Sequence, residues 1–562
     1  MEELLATCKS PVADNHLGTY NQHMNLRTRF HALLNRRQES ILSASLVLAI
    51  TFGVSAVLGF LRSRFLYAQF FRCCVLDLDA YNAAFRLPDL IFKLLVTGAL
   101  SASFIPVFSE HLHRQPKKAY QLASAVINLL LVLFVIASVV VFIFAPKLSS
   151  LVAAGFNPEQ ILVMTRLTRV LLLAQIFFLI SNFLTAILQV NQVFLVPALS
   201  PIIYNLFIIF GILTLTPTLG IYGAAYSAVV GAFFHLAIQI PSIRHLKFRY
   251  RPIFSLKLHG VREVIRLMIP RSLSLGLAEI ENTVTLFFAS SLAAGSISLL
   301  NLALQLIYLP SRIFGTTIGQ ASLPILSKNV AKNELTTFRH IVNRTILQSL
   351  FIALPISALV LINRVPIIRL AFGAKQFPWS ATLITARTLA LLVPAIACQA
   401  VIQILVRSFY ALHDTRTPLK VSIVSLIVSV STSFYFVNYT PLGILGLALS
   451  ASLGNLAQFI GLTIFYLRAV DGHEWVETVN RAGRILLCSV FMGFVTWASH
   501  RFFDLFLLDT SRTLNLVVLF TVTSALGVAS FLAACHFLQV SEYQELKLTL
   551  FRLKKPTFLA QD

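Results

Sequence analysis

Long apolar runs alternate with short polar connections along almost the whole chain. About fourteen such runs can be drawn, from one near 41–61 to one near 513–538. A bilayer core takes about 20 helical residues. Several runs, such as 79–110 and 159–188, are longer, which predicts tilt or extension beyond the lipid. The pattern predicts an all-α polytopic membrane protein, not a globular enzyme with an anchor.

The runs repeat. LGIYGAAYSA begins at Leu219 and LGILGLALSA at Leu442, an offset of 442 − 219 = 223. LPDLIF at Leu87 recurs as LPSRIF at Leu309, an offset of 309 − 87 = 222. QVNQVFLVP at 189–197 against LHDTRTP at 412–418 is a weaker match at a similar offset. The first twelve runs are therefore expected to be two copies of a six-span unit, with the last two an addition. An even number of spans per copy gives both copies one orientation, related by an axis along the membrane normal. Two such repeats around a central cavity are the build of secondary transporters. The glycines of the LGI repeats are expected to serve close helix packing.

One run is unusually charged. Asp79 to Glu110 carries Asp79, Arg86, Asp89 and Lys93, with Pro88 and Pro106. A charge facing lipid costs roughly 2.5–3.5 kcal/mol on insertion scales, and proline removes a backbone donor. The stretch is expected to be a bent helix lining a polar cavity. Arg86 and Lys93, seven apart, fall on nearly one face. Asp79, at the start of the helix, equally suits the membrane interface.

Composition agrees. Of 562 residues, 57% are hydrophobic and 12% charged, and the mean hydropathy is +0.80. Soluble domains run near 25% charged. The net charge of +23 does not imply nucleic acid, because the bases cluster in short connections. Arg114, Lys117 and Lys118 mark one such connection, and Arg244, Lys247, Arg249 and Arg251 the richest. The intervening connections near 217–218, 294–296 and 438–441 hold no Lys or Arg. This asymmetry predicts cytoplasmic termini. Arg62, Arg64, Arg72, Arg364, Arg369 and Lys375 fall on the opposite side, which suggests either a specific task or lipid headgroup contact. The expected organisation is an N-terminal cytoplasmic extension (1–40), an N-lobe (41–243) and a basic cytoplasmic linker (244–262). A C-lobe (263–470), two further spans (471–540) and a cytoplasmic tail (541–562) follow.

Little suggests an enzyme. Walker A, HExxH, GxSxG in a strand–turn–helix context and paired CxxC motifs are all missing. The six cysteines show no metal spacing, and the adjacent Cys73 and Cys74 are expected not to bridge each other. No cofactor is expected; a coupling cation or the membrane potential would supply energy. Bases at membrane depth outnumber acids, which suits an anionic substrate, since arginine forks onto phosphate and lysine acts as a point charge. Glu279 and Glu281, mid-run and two apart, point to different faces. They are the candidate ion-coupling residues, and either could pair with an arginine across the cavity.

LGFLR at 58–62, LDAYNAAFRLPDLIFKLL and GALSASFIPVFSE resemble the opening of the MurJ (MviN) family of lipid-linked peptidoglycan precursor flippases. LPSRIFGTTIGQASLPILSK at 309–328 and SFYALHDTRTPLKVS at 408–422 resemble its later signatures. The last is the most specific, similar to a FYSRQDTKTP-type element. The resemblance implies a member of the multidrug/oligosaccharidyl-lipid/polysaccharide exporter superfamily in a bacterial inner membrane. It implies lipid II as the transported partner, for cell wall synthesis, with membrane lipids and other cell-wall synthesis proteins as further partners and no nucleic acid. The undecaprenyl tail would lie along a groove by the two C-terminal spans. Carried over by position, Arg62, Asp79 and Lys93 match family charges, with Arg86 and Arg312 as compensating head-group bases. Ala56, Phe92, Thr97 and Gln305 stand where the family carries charge. Those departures keep open an exporter of another lipid-linked glycan or of drugs or cations, or a diverged scaffold.

Overall fold

A computed structural model describes residues 41–545 and Lys547, apart from 99, 247, 256–257, 311–321, 324–325, 331, 374–376, 470–474, 508 and 510–511. The described residues are helical, with no strand among them. The first half contains α1 (Ile41–Phe70), α2 (Val75–Ala84), α3 (Arg86–Phe92), α4 (Ile105–Arg114) and α5 (Pro116–Val152). It continues with α6 (Pro158–Val190), α7 (Leu195–Thr214) and α8 (Ile221–Ala237). The second half holds α9 (His259–Ser290), α10 (Ser296–Pro310), α11 (Leu335–Ile362), α12 (Arg364–Phe372) and α13 (Trp379–Leu392). After these come α14 (Pro394–Ala411), α15 (Arg416–Tyr439), α16 (Ile444–Ala469), α17 (Trp475–Phe506) and α18 (Thr513–Phe537). Among the described residues, ten helices are long and apolar enough to cross a membrane. The segments expected as the first, second, seventh and eighth spans contain helices where they are described but are not among those ten.

The order of neighbours is the same in both halves. In the first, α1 packs on α7, α7 on α8, α8 on α6, α6 on α5, and α2 on α6. In the second, α9 packs on α15, α15 on α16, α16 on α14, α14 on α11, and α10 on α13. The last two helices pair with each other, and α17 lies along α11. The connection between the halves crosses α5: the buried Asn128 donates to the carbonyls of Arg251 and Ile253, both at 3.1 Å.

Sequence repeats become shared turns. Gln192 and His413, 413 − 192 = 221 apart, both take positive φ, 62° and 59°. Behind each, an N–H reaches the carbonyl five residues back: Val193 to Leu188 at 2.9 Å, Asp414 to Phe409 at 2.9 Å. This is the closure of a helix that ends in a left-handed residue. The LGI repeats work in the same way. Gly220 and Gly443 have φ of 56° and 53°. Three residues on, Gly223 and Gly446 permit close approach, because a Cβ would lie 2.7 Å from the Leu215 carbonyl carbon and 2.6 Å from Phe436 Cβ.

The second expected span is bent as its prolines require. Pro88 cannot donate back one turn, and the helix is interrupted at Phe85 before α3 begins. Two wide π-helical turns, Lys93–Thr97 and Leu100–Phe104, then precede Pro106. Such turns rotate the side chains that follow and often occur at functional sites. One expectation is corrected. The adjacent Cys73 and Cys74 are bridged, because the turn after α1 opens the Cys74 backbone to φ −146°, ψ 46° and brings neighbouring side chains together.

The most specific signature, around HDTRTP, is a helix start. Asp414 Oδ1 accepts the N–H of Arg416 at 2.9 Å and of Thr417 at 3.0 Å. The Thr417 hydroxyl, and then these amides, hold the Asp414 carboxyl below the usual carboxylate range. Asp414→Ala should cost about 1 kcal/mol. A depressed pKa stabilises above the unfolded value of about 3.9, so the deficit should disappear as pH falls through the folded value. Thermal unfolding of both proteins across that range checks it.

The backbone requirement at Gly220 separates cleanly from packing, since a Cβ there meets nothing within 4 Å. With φ 56° and ψ −143° it occupies a region nearly closed to side chains. Gly220→Val should lower stability by about 1–3 kcal/mol. Gly53→Ala, equally open but inside α1, should be neutral or slightly stabilising. Melting temperatures of the purified proteins compare the two.

Candidate functional site: a polar cavity between the halves

Two adjoining chambers of about 540 and 550 Å³ lie between the halves. Arg62, Asn82, Asp89 and Lys93 belong to the walls of both, as do Asn301 and Gln305. The first chamber reaches α9 and α10 through Asn282, Thr285 and Leu300; the second reaches α6 and α7 through Gln175 and Tyr204. Polar groups from six expected spans therefore converge in a region that the apolar sequence would place at membrane depth.

Arg62 extends from α1 with its guanidinium 5.9 Å from the Tyr204 ring centre. It makes no hydrogen bond or ion pair to another described residue. Arg86 and Lys93 do face one way, as their spacing predicts, and both meet Glu279 of α9. Arg86 pairs with Glu279 Oε2, and Lys93 Nζ lies 2.8 Å from Oε1. Arg86 also donates to the Glu279 carbonyl at 2.9 Å and to Thr283 Oγ1 at 3.0 Å. Asp89, one turn before Lys93, accepts from Gln175 Nε2 at 2.7 Å. The expectation that one of Glu279 and Glu281 pairs with an arginine across the cavity thus falls on Glu279. Glu281 points elsewhere, toward Ser429 of α15.

Asp79 stands apart from the chambers. It is buried, and its oxygens accept from the N–H of Gly295 at 2.6 Å, the N–H of Ser298 at 2.9 Å and the Ser298 hydroxyl at 2.6 Å. It caps the start of α10, where amides lack helical partners. Arg64 performs the opposite task at another helix end, donating to the carbonyls of Leu370 at 2.8 Å and Gly373 at 3.1 Å after α12. Of the bases on the unexpected side, this one has a specific partner rather than a lipid headgroup. Arg312 lies outside the described residues.

The positions that depart from the family pattern also have neutral roles. Ala56 and Phe92 form wall, and Gln305 Oε1 accepts from Ser63 at 3.2 Å. Sequence reasoning missed Asn82, Asn301 and Tyr204 as wall residues. Asn82 had a usable signal, lying between Asp79 and Arg86 in the charged run. Away from the cavity, an apolar groove of about 420 Å³ runs between α11 and α17, lined by Leu354, Ala358, Leu486, Val490, Phe494 and Trp497 among others.

If Asp79 ties α2 to α10, removing it should loosen that level of the molecule. Spin labels at Arg72 and Ala294, in a chain without native cysteines, should give one short distance. Asp79→Ala should add a longer population. An unchanged distribution would show that the cap does not hold the halves together.

The family model described as lipid II flippase MurJ matches residues 74–518. A probable lipid II flippase MurJ of Bdellovibrio bacteriovorus is 26% identical over 523 residues, 92% of this chain and 98% of that one. The lipid II flippase MurJ of Burkholderia cenocepacia is 27% identical over 398 residues, covering 68% and 77%. Among solved structures, a lipid II flippase MurJ in an inward closed conformation superposes with a TM-score of 0.70 at 22% identity, covering 86% of this chain and 98% of that one. An inward-facing multidrug resistance MATE transporter superposes at 0.61 and 16% identity, covering 76% and 99%. These two likenesses concern the fold.

Proposed function

The chain belongs to the lipid II flippase MurJ family, and from that premise we propose that it moves lipid II from the inner to the outer leaflet of a bacterial inner membrane. It is a multi-pass membrane transporter rather than an enzyme. Transport proceeds by alternating access, and the product feeds cell wall synthesis. The observation that carries the reading is Arg62, a base without an acidic partner among the described residues, shared by both chambers of a cavity between two repeated halves.

In this reading Arg62, Lys93 and Arg86 receive the diphosphate, with Arg312 as a further base. Asn82 and Asn301 offer hydrogen bonds to the sugar–peptide head. Asp79 acts on the head group only indirectly, by setting the position of α10. The polyprenyl tail stays in lipid and lies against the apolar groove of α11 and α17. Both termini face the cytoplasm, supported by the bases of the 114–118 and 244–251 connections. Other cell-wall synthesis proteins are the expected neighbours. Energy comes from the membrane potential or a cation gradient, with Glu281 as the carboxylate left for a coupling ion, since no base pairs with it among the described residues.

A drug or cation exporter of the same superfamily would want an acid free of bases in the chamber wall. Here the wall acid, Asp89, is held by Gln175 on the same turns as Arg86 and Lys93, and Glu279 is claimed by both of those bases, which disfavours that reading.

The test replaces the native flippase of a tractable bacterium with this chain and scores growth and outer-leaflet lipid II. Rescue is expected. It should be lost when Arg62→Ala and Lys93→Ala are combined, although the protein still inserts. Normal growth on the double variant would overturn the assignment of the bases.

A further inference from the structure

The bases of the cavity are not waiting open. Glu279 is 6% exposed and comes from α9, in the second half of the chain. Its two carboxylate oxygens are divided between two bases of the first half, Oε2 on Arg86 and Oε1 on Lys93. The grip is built on both sides. Arg86 is additionally fixed by Thr283 Oγ1, which itself donates to the Glu279 carbonyl at 2.7 Å. Lys93 is the more open of the two, with a side chain 40% exposed against 13% for Arg86. Asp89 sits between them and is held by Gln175. Two acids thus face two bases, and among the described wall residues Arg62 is the base left without an acid.

One planar acid presenting two oxygens to an arginine and a lysine is the arrangement that phosphate oxygens take on the same groups. Resting on the function proposed above, we propose that Glu279 is an internal stand-in for the diphosphate of the lipid substrate. In the empty cavity it occupies Arg86 and Lys93 and ties α9 to the bent second span. An incoming diphosphate, attracted first by Arg62, takes Lys93 from it and loosens that tie, leaving Arg86 as its remaining base. A lipid-linked head without the double negative charge cannot displace it. Glu279 is therefore a positioning residue that makes separation of the halves depend on an anionic lipid. Ligand-driven change requires such differential contact with the two states, and here the contact that changes hands is named.

The test uses the full chain in lipid nanodiscs with undecaprenyl diphosphate and, as the uncharged control, undecaprenol. Removing the internal competitor by Glu279→Gln should tighten undecaprenyl diphosphate binding by about tenfold, roughly the effect of 1.4 kcal/mol, and leave undecaprenol unaffected. Because that variant leaves two bases short of an acid, a second measurement keeps Glu279 in place. A Cβ on Gly276 of α9 would lie 3.3 Å from Leu94 Cδ2. Leu94→Cys with Gly276→Cys should therefore crosslink in the empty protein, and undecaprenyl diphosphate should lower the yield while undecaprenol should not. Equal or weaker diphosphate binding by the Gln variant, or a crosslink indifferent to the diphosphate lipid, would overturn the proposal. If the wild-type chain itself fails to bind undecaprenyl diphosphate, the flippase reading fails and this proposal with it.

Discussion

Two bases of the bent second span share one carboxylate from the other half of the molecule. Arg86 and Lys93 lie in a stretch apolar enough to enter a membrane, where an unpaired charge is expensive and removing one partner of a buried pair is strongly destabilising. Glu279 settles both at once. Its position on α9 means that the charge balance of the first half is completed only by the second. The pairing is one contact between the halves, and it leaves Arg62 as a wall base with no acidic partner among the described residues.

Two further polar ties between the halves use helix ends. Asp79 caps the start of α10, and Arg64 caps the end of α12. Each end has groups that no helical bond satisfies, so each tie can be exchanged for water or another donor at moderate cost. Ion pairs and caps are contacts that can be made and broken within an intact pair of helical bundles. A transporter that rocks one half against the other needs contacts of this kind where the halves meet.

Much of this was legible in the chain. The apolar runs gave the all-helical class, and the offset of about 222 residues between matching segments announced the repeated packing order. The glycines of the LGI repeats were read as packing positions, which holds at 223 and 446, whereas those at 220 and 443 have open space around them and serve a backbone of positive φ. The seven-residue spacing of Arg86 and Lys93 put them on one face. The role of Asp79 was not legible, because its partners are backbone amides more than 200 residues away, and amides leave no mark in a sequence. Arg64 was hidden for the same reason, since its partners are carbonyls of Leu370 and Gly373. The bridge between Cys73 and Cys74 depended on a turn conformation that spacing does not specify.

The central claim is that the cavity conducts a diphosphate-linked lipid and that Arg62 receives it. The direct measurement reconstitutes the purified chain in liposomes carrying labelled lipid II and follows arrival of the label in the opposite leaflet. The account predicts transfer faster than in protein-free liposomes, reduced to that background by Arg62→Ala. Transfer no faster than background with the folded wild-type chain, or equal transfer by the variant, would contradict it.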